Sequence, residues 1–333
     1  PIGGAIGAFA VGDGVSTGGQ SRTPISKLPN VEHTEQQFPI LYLYRKELPD
    51  SGGAGRFRGG QGAESCFTVH NTDRIMHDSI CSGAAIPSSL GLMGGHPAGP
   101  NGYRYRVETN IRQLFAEGRI PRDVTEVTGT ERPIGLREHG FPQTGNDVYA
   151  VSWCGGGGFG DPLDRDVERV QSDLDGAFIS VRGAERIYGA VVDPATGEVD
   201  AAATEARRTE LKGQRLDAFP DRKPVRRDGS PVMEISPYLA VHRDADGSYH
   251  ACAGCGTALG PLGENWKSHA LAEDRPVQDS NPLIGDPQRY IDASVTFRRF
   301  LCPGCGAQLD AEVAVGDDPP LHDIDLAMTE AAE

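Results

Sequence analysis

Two short strings near the C-terminus, Cys252-Ala-Gly-Cys255-Gly256 and Cys302-Pro-Gly-Cys305-Gly306, repeat one pattern and use four of the chain's seven cysteines. In each string two thiolates can reach a single ion, because the small residues between and after them let the turn wrap closely around it. Two such pairs complete a tetrahedral four-thiolate zinc site with no open coordination position. A closed site of this kind is structural, so the expected role of Cys252, Cys255, Cys302 and Cys305 is to hold a small domain together. Two unrelated pairs or a disulfide set are the competing readings. His250, two residues before Cys252, could replace one thiolate or hydrogen-bond to the cluster.

The other cysteines, Cys66, Cys81 and Cys154, are scattered and odd in number, which suits a reducing cytosol better than a disulfide framework. Cys154 opens the run Cys154-Gly-Gly-Gly-Gly-Phe-Gly-Asp161-Pro162. Four consecutive glycines are costly in chain entropy and persist where backbones must meet closely, so a packed loop is favoured over a nucleophile. No histidine stands in a defined relation to Cys154 that would activate its thiol. A second glycine-rich string, Asp50 to Gly62, could present backbone N–H groups and two arginines to an anion, or form a structural turn. It fits no nucleotide fingerprint, and none of the five lysines is placed as a phosphate-loop lysine. His70, His77 and His96 could supply metal ligands or a general base, but their spacing favours structural histidines.

These strings must be positioned by a chain of 333 residues, enough for two or three domains. Its 44 glycines are close to twice the usual share of about 7%, which points to a loop-rich fold with close backbone contacts. A net charge of −15 argues against nucleic acid or an anionic membrane surface as partner. No apolar stretch is long enough to span a bilayer and no signal peptide is visible, so a cytoplasmic protein is expected. The opening Pro1-Ile-Gly-Gly-Ala-Ile-Gly reads as a strand already inside a domain, implying that the first part of that domain lies elsewhere.

The expected fold is α+β: a β-rich, glycine-rich body with a helical appendage, followed by a small zinc-ribbon domain. Strands are expected around Phe38–Tyr44 and Asp147–Trp153, and the body is β-rich to about 162. From 163 to 218 the texture turns helical. Val167, Val170 and Leu174 share one face, Val181, Ala184 and Ile187 another, with Gly189 as a left-handed cap. A third helix should follow Asp200 and run through Ala203, Leu211 and Leu216. Residues 219–231 are charged and aperiodic and read as a linker. The zinc ribbon then occupies 232–325, with a strand over Tyr290–Leu301, and 326–333 form an acidic tail. From Asp310 onward there are eight carboxylates and no Lys or Arg, favouring a solvated tail slightly over a strap on a basic neighbour.

Together the strings resemble the C-terminal half of the hydantoinase B/oxoprolinase family through Phe38–Gly62, Leu90–Pro97 and Gly155–Asp193, over roughly Pro1 to Leu216. Tyr238 to about Asp325 separately resembles the acetone carboxylase gamma subunit, through CAGCG, Glu264-Asn265-Trp266-Lys267, His269-Ala270-Leu271 and Phe300–Asp310. The resemblance implies a subunit of an ATP-dependent ketone carboxylase, a ligase using bicarbonate, in which this chain supplies a structural Zn2+ domain and part of the body. It implies as partners a hydantoinase A-like nucleotide-binding subunit and a polypeptide carrying the N-terminal hydantoinase B half. ATP and a catalytic divalent metal are expected on those chains, and no catalytic or ATP-binding residue carries over to this one. An ATP-dependent hydantoinase/oxoprolinase-type lactam hydrolase and a non-catalytic scaffold are the alternatives.

Overall fold

A computed structural model describes residues 4–18 and 29–326. The very start of the expected opening strand, residues 1–3, and all of the expected acidic tail except Leu326 lie outside the described residues. The fold is α+β. No described helix is long and apolar enough to cross a membrane.

The first part builds α1 (Val31–Gln37), β1 (Ile40–Glu47), β2 (Ala63–Val69), β3 (Arg74–Ile80), β4 (Gly102–Val107), α2 (Ile111–Ala116), β5 (Thr130–Glu131), β6 (Arg137–Thr144) and β7 (Val148–Ser152). Five strands form an antiparallel sheet in the order β1-β2-β7-β4-β5, while β3 and β6 pair as a separate ribbon. Register sets Cys66 opposite Ala150 and Phe67 opposite Tyr149. Alternation therefore sends Cys66, Val148 and Ala150 to one face, where Ile111 and Leu114 of α2 cover them. On the other face Tyr105, Tyr149 and Phe67 pack against Phe141 of the ribbon. Both faces are buried, which explains why the apolar alternation of these strands is loose in sequence.

Beside this sheet lies an unusual core made of backbone. The run Gly155–Gly158 is surrounded by residues 5–8, 51–60 and 90–96. Its successive carbonyls at Gly156, Gly157 and Gly158 accept from Gly53, Ala8 and Leu92 respectively, three different segments. A rotation of about one third of a turn per residue is the geometry of an extended polyproline-type helix, whose backbone groups radiate in three directions. A methyl group on Gly156 would overlap the Ile6 carbonyl, one on Gly157 the Leu90 carbonyl, and one on Gly158 the Ala54 carbonyl. Only glycine admits neighbours on all three sides.

Three helices follow: α3 (Val167–Asp175), α4 (Val181–Arg186) and α5 (Ala201–Asp217). Asp166, Ser180 and Asp200 cap them by accepting backbone N–H groups two or three residues ahead. Gly189, with φ +65°, reverses the chain after α4 so that the Ala190 N–H reaches the Ala184 carbonyl. Helix α5 departs from its expected apolar face: Leu211 and Leu216 are only half-buried, and the fully inward positions are Thr204, Arg208 and Arg215. Those guanidiniums are matched to carbonyls and carboxylates, a pattern that hydrophobic periodicity does not register.

The charged stretch 219–231 is held down. Arg222 caps the carbonyls of Leu216 and Phe219, Arg227 forks onto Asp244, and Ala258 donates to Val225. Strands β8 (Ser230–Glu234), β9 (Leu239–Asp244), β10 (Gly247–Cys252) and β11 (Ala258–Pro261) make one antiparallel sheet in the order β11-β10-β9-β8. Strands β12 (Leu271–Pro276), β13 (Val295–Leu301) and β14 (Gln308–Val315) make another. The strand expected from Tyr290 starts only at Val295, because Pro287–Arg289 form a 3-10 turn.

The glycine core predicts a sharp contrast. Gly157→Ala is expected to destabilise the chain by about 3 kcal/mol or more, the upper range of overpacking. Gly213→Ala, in α5 with nothing within 4 Å of the added methyl, is expected to stabilise by about 0.5–1 kcal/mol through helix entropy. Urea denaturation midpoints of the two variants check this.

Candidate metal centre

The cysteine strings fold into two copies of one turn. At the end of β10, Cys252 N–H donates to Thr257 and its carbonyl accepts from Gly256; after β13, Cys302 N–H donates to Ala307 and its carbonyl accepts from Gly306. Gly256 and Gly306 share the same left-handed φ of +71°, which explains why a glycine follows the second cysteine of each pair. The four Sγ atoms lie within 4.8 Å of one another and could hold a metal ion. Cys252 to Cys305 is 3.9 Å and Cys255 to Cys302 is 3.5 Å. Four sulfurs at about 2.3 Å from a zinc ion would be about 3.8 Å apart, so the arrangement fits a tetrahedral ion with little adjustment.

Sulfur charge is further shaped by its surroundings. Thr257 Oγ1 lies 3.1 Å from Cys255 Sγ, and the Gly304 N–H points to Cys302 Sγ at 3.4 Å. Contact with Cys252 and Cys305, and burial, push the Cys302 thiol up, whereas contact with Cys252 and Cys302 holds the Cys305 thiol down. Four sulfurs this close share negative charge that a divalent cation would neutralise. His250 is buried on β10, outside the sulfur group, and neither ring nitrogen has a hydrogen-bond partner among the described residues. It therefore neither replaces a thiolate in the group nor hydrogen-bonds to the cluster.

A cleft of about 290 Å³ opens onto Cys252, Cys255 and Cys305 between Asp164, Lys212 and Tyr238. A larger one, about 660 Å³, shares Asp164 and Lys212 and extends past Arg56, Glu168 and Glu205. Lys212 is paired with Asp164 at 2.7 Å, so cations and carboxylates offset one another there.

Trp266 and Phe300 pack behind the cluster with Leu239, Leu259 and Leu309. Next to Trp266 sits Lys267, whose side chain is 1% exposed yet meets Asp310 at 2.8 Å, Asp323 at 3.2 Å and Glu312 at 3.6 Å. Burial alone would lower its pKa; Asp310 and Asp323 outweigh that and raise it. Asn265 donates to the carbonyls of Pro320 and Leu321, and Ile324 packs on the cluster's apolar shell. The acidic end, read as slightly favouring a solvated tail, is therefore a strap as far as it is described, and Lys267 is the basic neighbour. Asp310 and Glu312 belong to β14. Lys267 follows Trp266 directly in sequence, and no periodicity marks a buried lysine.

The same unit is seated on the glycine core. Asp161, fully buried at the end of the glycine run, receives a forked bond from Arg215 of α5 at 2.6 and 3.0 Å and the Gln308 N–H at 3.0 Å. Arg215 also reaches the Gly306 carbonyl in the second cysteine turn at 3.0 Å. Burial would raise the Asp161 pKa, but Arg215 holds it well below the usual range. Gln308 donates to the Gly94 carbonyl at 2.6 Å, and Asn281 to the Asp50 carbonyl at 2.9 Å. His96 is buried at the same seam, with Nδ1 3.0 Å from the Ser280 carbonyl and its ring edge-on to Phe297. Burial pushes its pKa down to about 3.

The remaining candidates do not assemble a catalytic group. In the Asp50–Gly62 string the N–H groups of Gly53, Gly59, Gly60 and Gly62 go to protein oxygens and Arg58 pairs with Asp173, so these groups are not turned to an anion, while Arg56 faces the larger cleft. Cys154 N–H donates to Asn101 Oδ1, and its sulfur accepts from Ser89 Oγ at 4.0 Å, with no base bonded to it among the described residues. His70 is exposed. His77 stacks on Tyr149 and Phe141 and bonds Gln143.

A body built on a glycine core, joined to a ribbon with a four-cysteine cluster, agrees with what known proteins share with the chain. Residues 1–162 match the hydantoinase B/oxoprolinase family, and residues 226–332 match the acetone carboxylase gamma subunit. The chain is thus similar to one family over each of two separate segments. It is homologous to the acetone carboxylase alpha subunit of Xanthobacter autotrophicus, 34% identical over 63% of this chain and 29% of the relative. The acetophenone carboxylase delta subunit of Aromatoleum aromaticum is 30% identical over 61% of the chain and 31% of its own length. The caprolactamase subunit beta of Pseudomonas jessenii is 31% identical over 54% and 28%. A nucleotide-free acetone carboxylase structure superposes with a TM-score of 0.57 at 33% identity, covering 65% of this chain and 30% of that one. The chain therefore spans less than a third of the length of these relatives.

Two outcomes follow from the site. Cys302→Ser is expected to lose most of the bound thiophilic metal and several kcal/mol of stability, seen by elemental analysis and thermal unfolding of the same sample. His96 is neutral when folded and titrates near 6.5 when unfolded, so its stabilising effect is complete above that pH and is lost as pH falls from 6.5 toward 3. Stability should drop by up to about 1.4 kcal/mol per pH unit from this group. His96→Leu is expected to flatten that slope between pH 6.5 and 4.5 in urea titrations.

Proposed function

We propose that the chain belongs to an ATP-dependent ketone carboxylase assembly, a cytoplasmic ligase that joins bicarbonate to a ketone. The supporting observation is that a hydantoinase B/oxoprolinase body and an acetone carboxylase gamma segment occur in one chain and meet at a buried seam, with Asp161 and Arg215 gripping the second cysteine turn. Cys252, Cys255, Cys302 and Cys305 would hold Zn2+ in a closed, structural site. Such an ion keeps the two turns and β13 in register and offers substrate no open position.

ATP and a catalytic divalent metal are assigned to partner chains or to the portion of the hydantoinase B polypeptide not represented here, together with a hydantoinase A-like nucleotide-binding subunit. Phosphoryl transfer there would activate bicarbonate and ketone. This chain's residues contribute a rigid wall: the glycine core excludes water and the cluster fixes the ribbon against it. The similarity to a caprolactamase subunit supports a second reading, ATP-coupled lactam ring opening, but the gamma-type segment favours the carboxylase.

The assembly purified from its native host is expected to consume acetone or acetophenone only when ATP and bicarbonate are both supplied. Caprolactam hydrolysis driven by ATP without bicarbonate would select the second reading. If the chain is purely a scaffold, Cys302→Ser should reduce recovery of the assembly in proportion to turnover; normal assembly with lost turnover would contradict that.

A further inference from the structure

We infer that residues 6–12, Val15 and residues 90–92 form one apolar docking face for the remaining part of a hydantoinase B-type polypeptide. The inference rests on the carboxylase-type reading above for the presence of that polypeptide. Ile6, Phe9, Val11, Val15, Leu90 and Leu92 are between 40% and 87% exposed, with Val11 and Leu92 the most exposed of them. Both segments flank the same glycine run: Ala8 N–H bonds the Gly157 carbonyl, and Leu92 N–H bonds the carbonyl of the next residue, Gly158. A bridge between Phe9 and Gly12 folds the first segment into a tight turn with Val11 near its tip.

Residues 4–12 and 84–95 contain no charged side chain. An uncharged face of this extent, on a chain with 24% charged residues, resembles the core of a permanent interface rather than that of a transient contact. The occupant follows from length and architecture. The chain covers 29% of the acetone carboxylase alpha subunit and 30% of the solved acetone carboxylase chain, so most of that polypeptide lies outside it. The polyproline-type core also grows by adding extended segments edge to edge, and residues 6–9 and 90–92 are its outer row. Further extended, glycine-bearing chain from the same kind of polypeptide, in cis or in trans, can continue the row in a way that a folded surface cannot.

The test places a photocrosslinker at the face within the native-host assembly, as Val11→p-benzoylphenylalanine and Leu92→p-benzoylphenylalanine, with Ile120→p-benzoylphenylalanine as the exposed control. Both face positions are expected to link to hydantoinase B-type sequence outside this chain's 333 residues, and the control is not. Adducts to a second copy of this chain or to another subunit, or no adduct at all, would overturn the assignment. If the assembly holds no such polypeptide, the carboxylase-type reading fails as well; if it is present but unlinked, only the docking face fails. The double variant Val11→Asp, Leu92→Asp should recover at least tenfold less of that polypeptide with metal content unchanged, and equal recovery would sink the proposal.

Discussion

The structure depends on backbone meeting backbone. Along Gly155–Gly158 every side of the chain is occupied by another segment, and the contacts are hydrogen bonds between peptide groups instead of side chains interlocking. This inverts the usual economy of a core. Glycine forfeits conformational entropy and contributes little apolar surface, so the arrangement persists because each buried peptide group finds a partner where water is absent. Its neighbours must also be slender, which is why Gly52, Gly53, Gly59, Gly60, Gly91 and Gly95 line the run. The abundance of glycine in this chain is therefore positional, and the loops that look flexible in sequence are among its most constrained parts.

One buried ion pair converts that rigid core into a seat. Asp161 stands where the glycine run ends and is satisfied by Arg215 and by the Gln308 N–H. Removing either partner would leave a buried charge unpaired, typically costing about 3–5 kcal/mol. Such pairs often contribute more to specificity than to net stability. Here the pair fixes which turn of the ribbon meets the body, because Arg215 also takes the Gly306 carbonyl. Lys267 plays a parallel role on the far side of the cluster, drawing Asp310, Glu312 and Asp323 together so that β14 and the end of the described chain close over Trp266.

Legibility in the sequence followed the range of the interaction. The cysteine turns were readable because their chemistry is local: two sulfurs three residues apart, and a glycine at the one left-handed position. The helix start after Asp200 was equally local, and the caps at Asp166 and Ser180 follow the same rule though the apolar spacing alone placed those helices. The inward arginines of α5, the buried Lys267 and the pairing of Asp161 with Arg215 were not readable, since their main partners lie about twenty to ninety positions away. The same limit made the acidic end look solvated. His96 was noticed but could not be assigned to a seam, because Ser280 and Phe297 lie on a unit far along the chain. The glycine strings were recognised as close contacts, while their threefold hydrogen bonding needs three segments at once and emerges only in space.

These constraints bear on where chemistry can occur. A zinc ion held by the four thiolates would offer no coordination site to a reactant, and N–H groups of Gly53, Gly59, Gly60, Gly62, Gly155, Gly156 and Gly158 are bonded within the protein. The histidines singled out in the sequence sit apart, and among the described residues no base bonds the Cys154 thiol. What the chain does present is rigidity, an uncharged outer face and a ribbon fixed to the body through residues belonging to both segments. A surface of that kind suits the wall of a larger assembly, where a reaction that must exclude water benefits from a boundary unable to breathe. Covalent joining of body and ribbon strengthens the same logic. A ribbon that docks as a separate subunit pays association entropy at every encounter, whereas in this chain the segment 219–231 holds it beside its seat at high effective concentration.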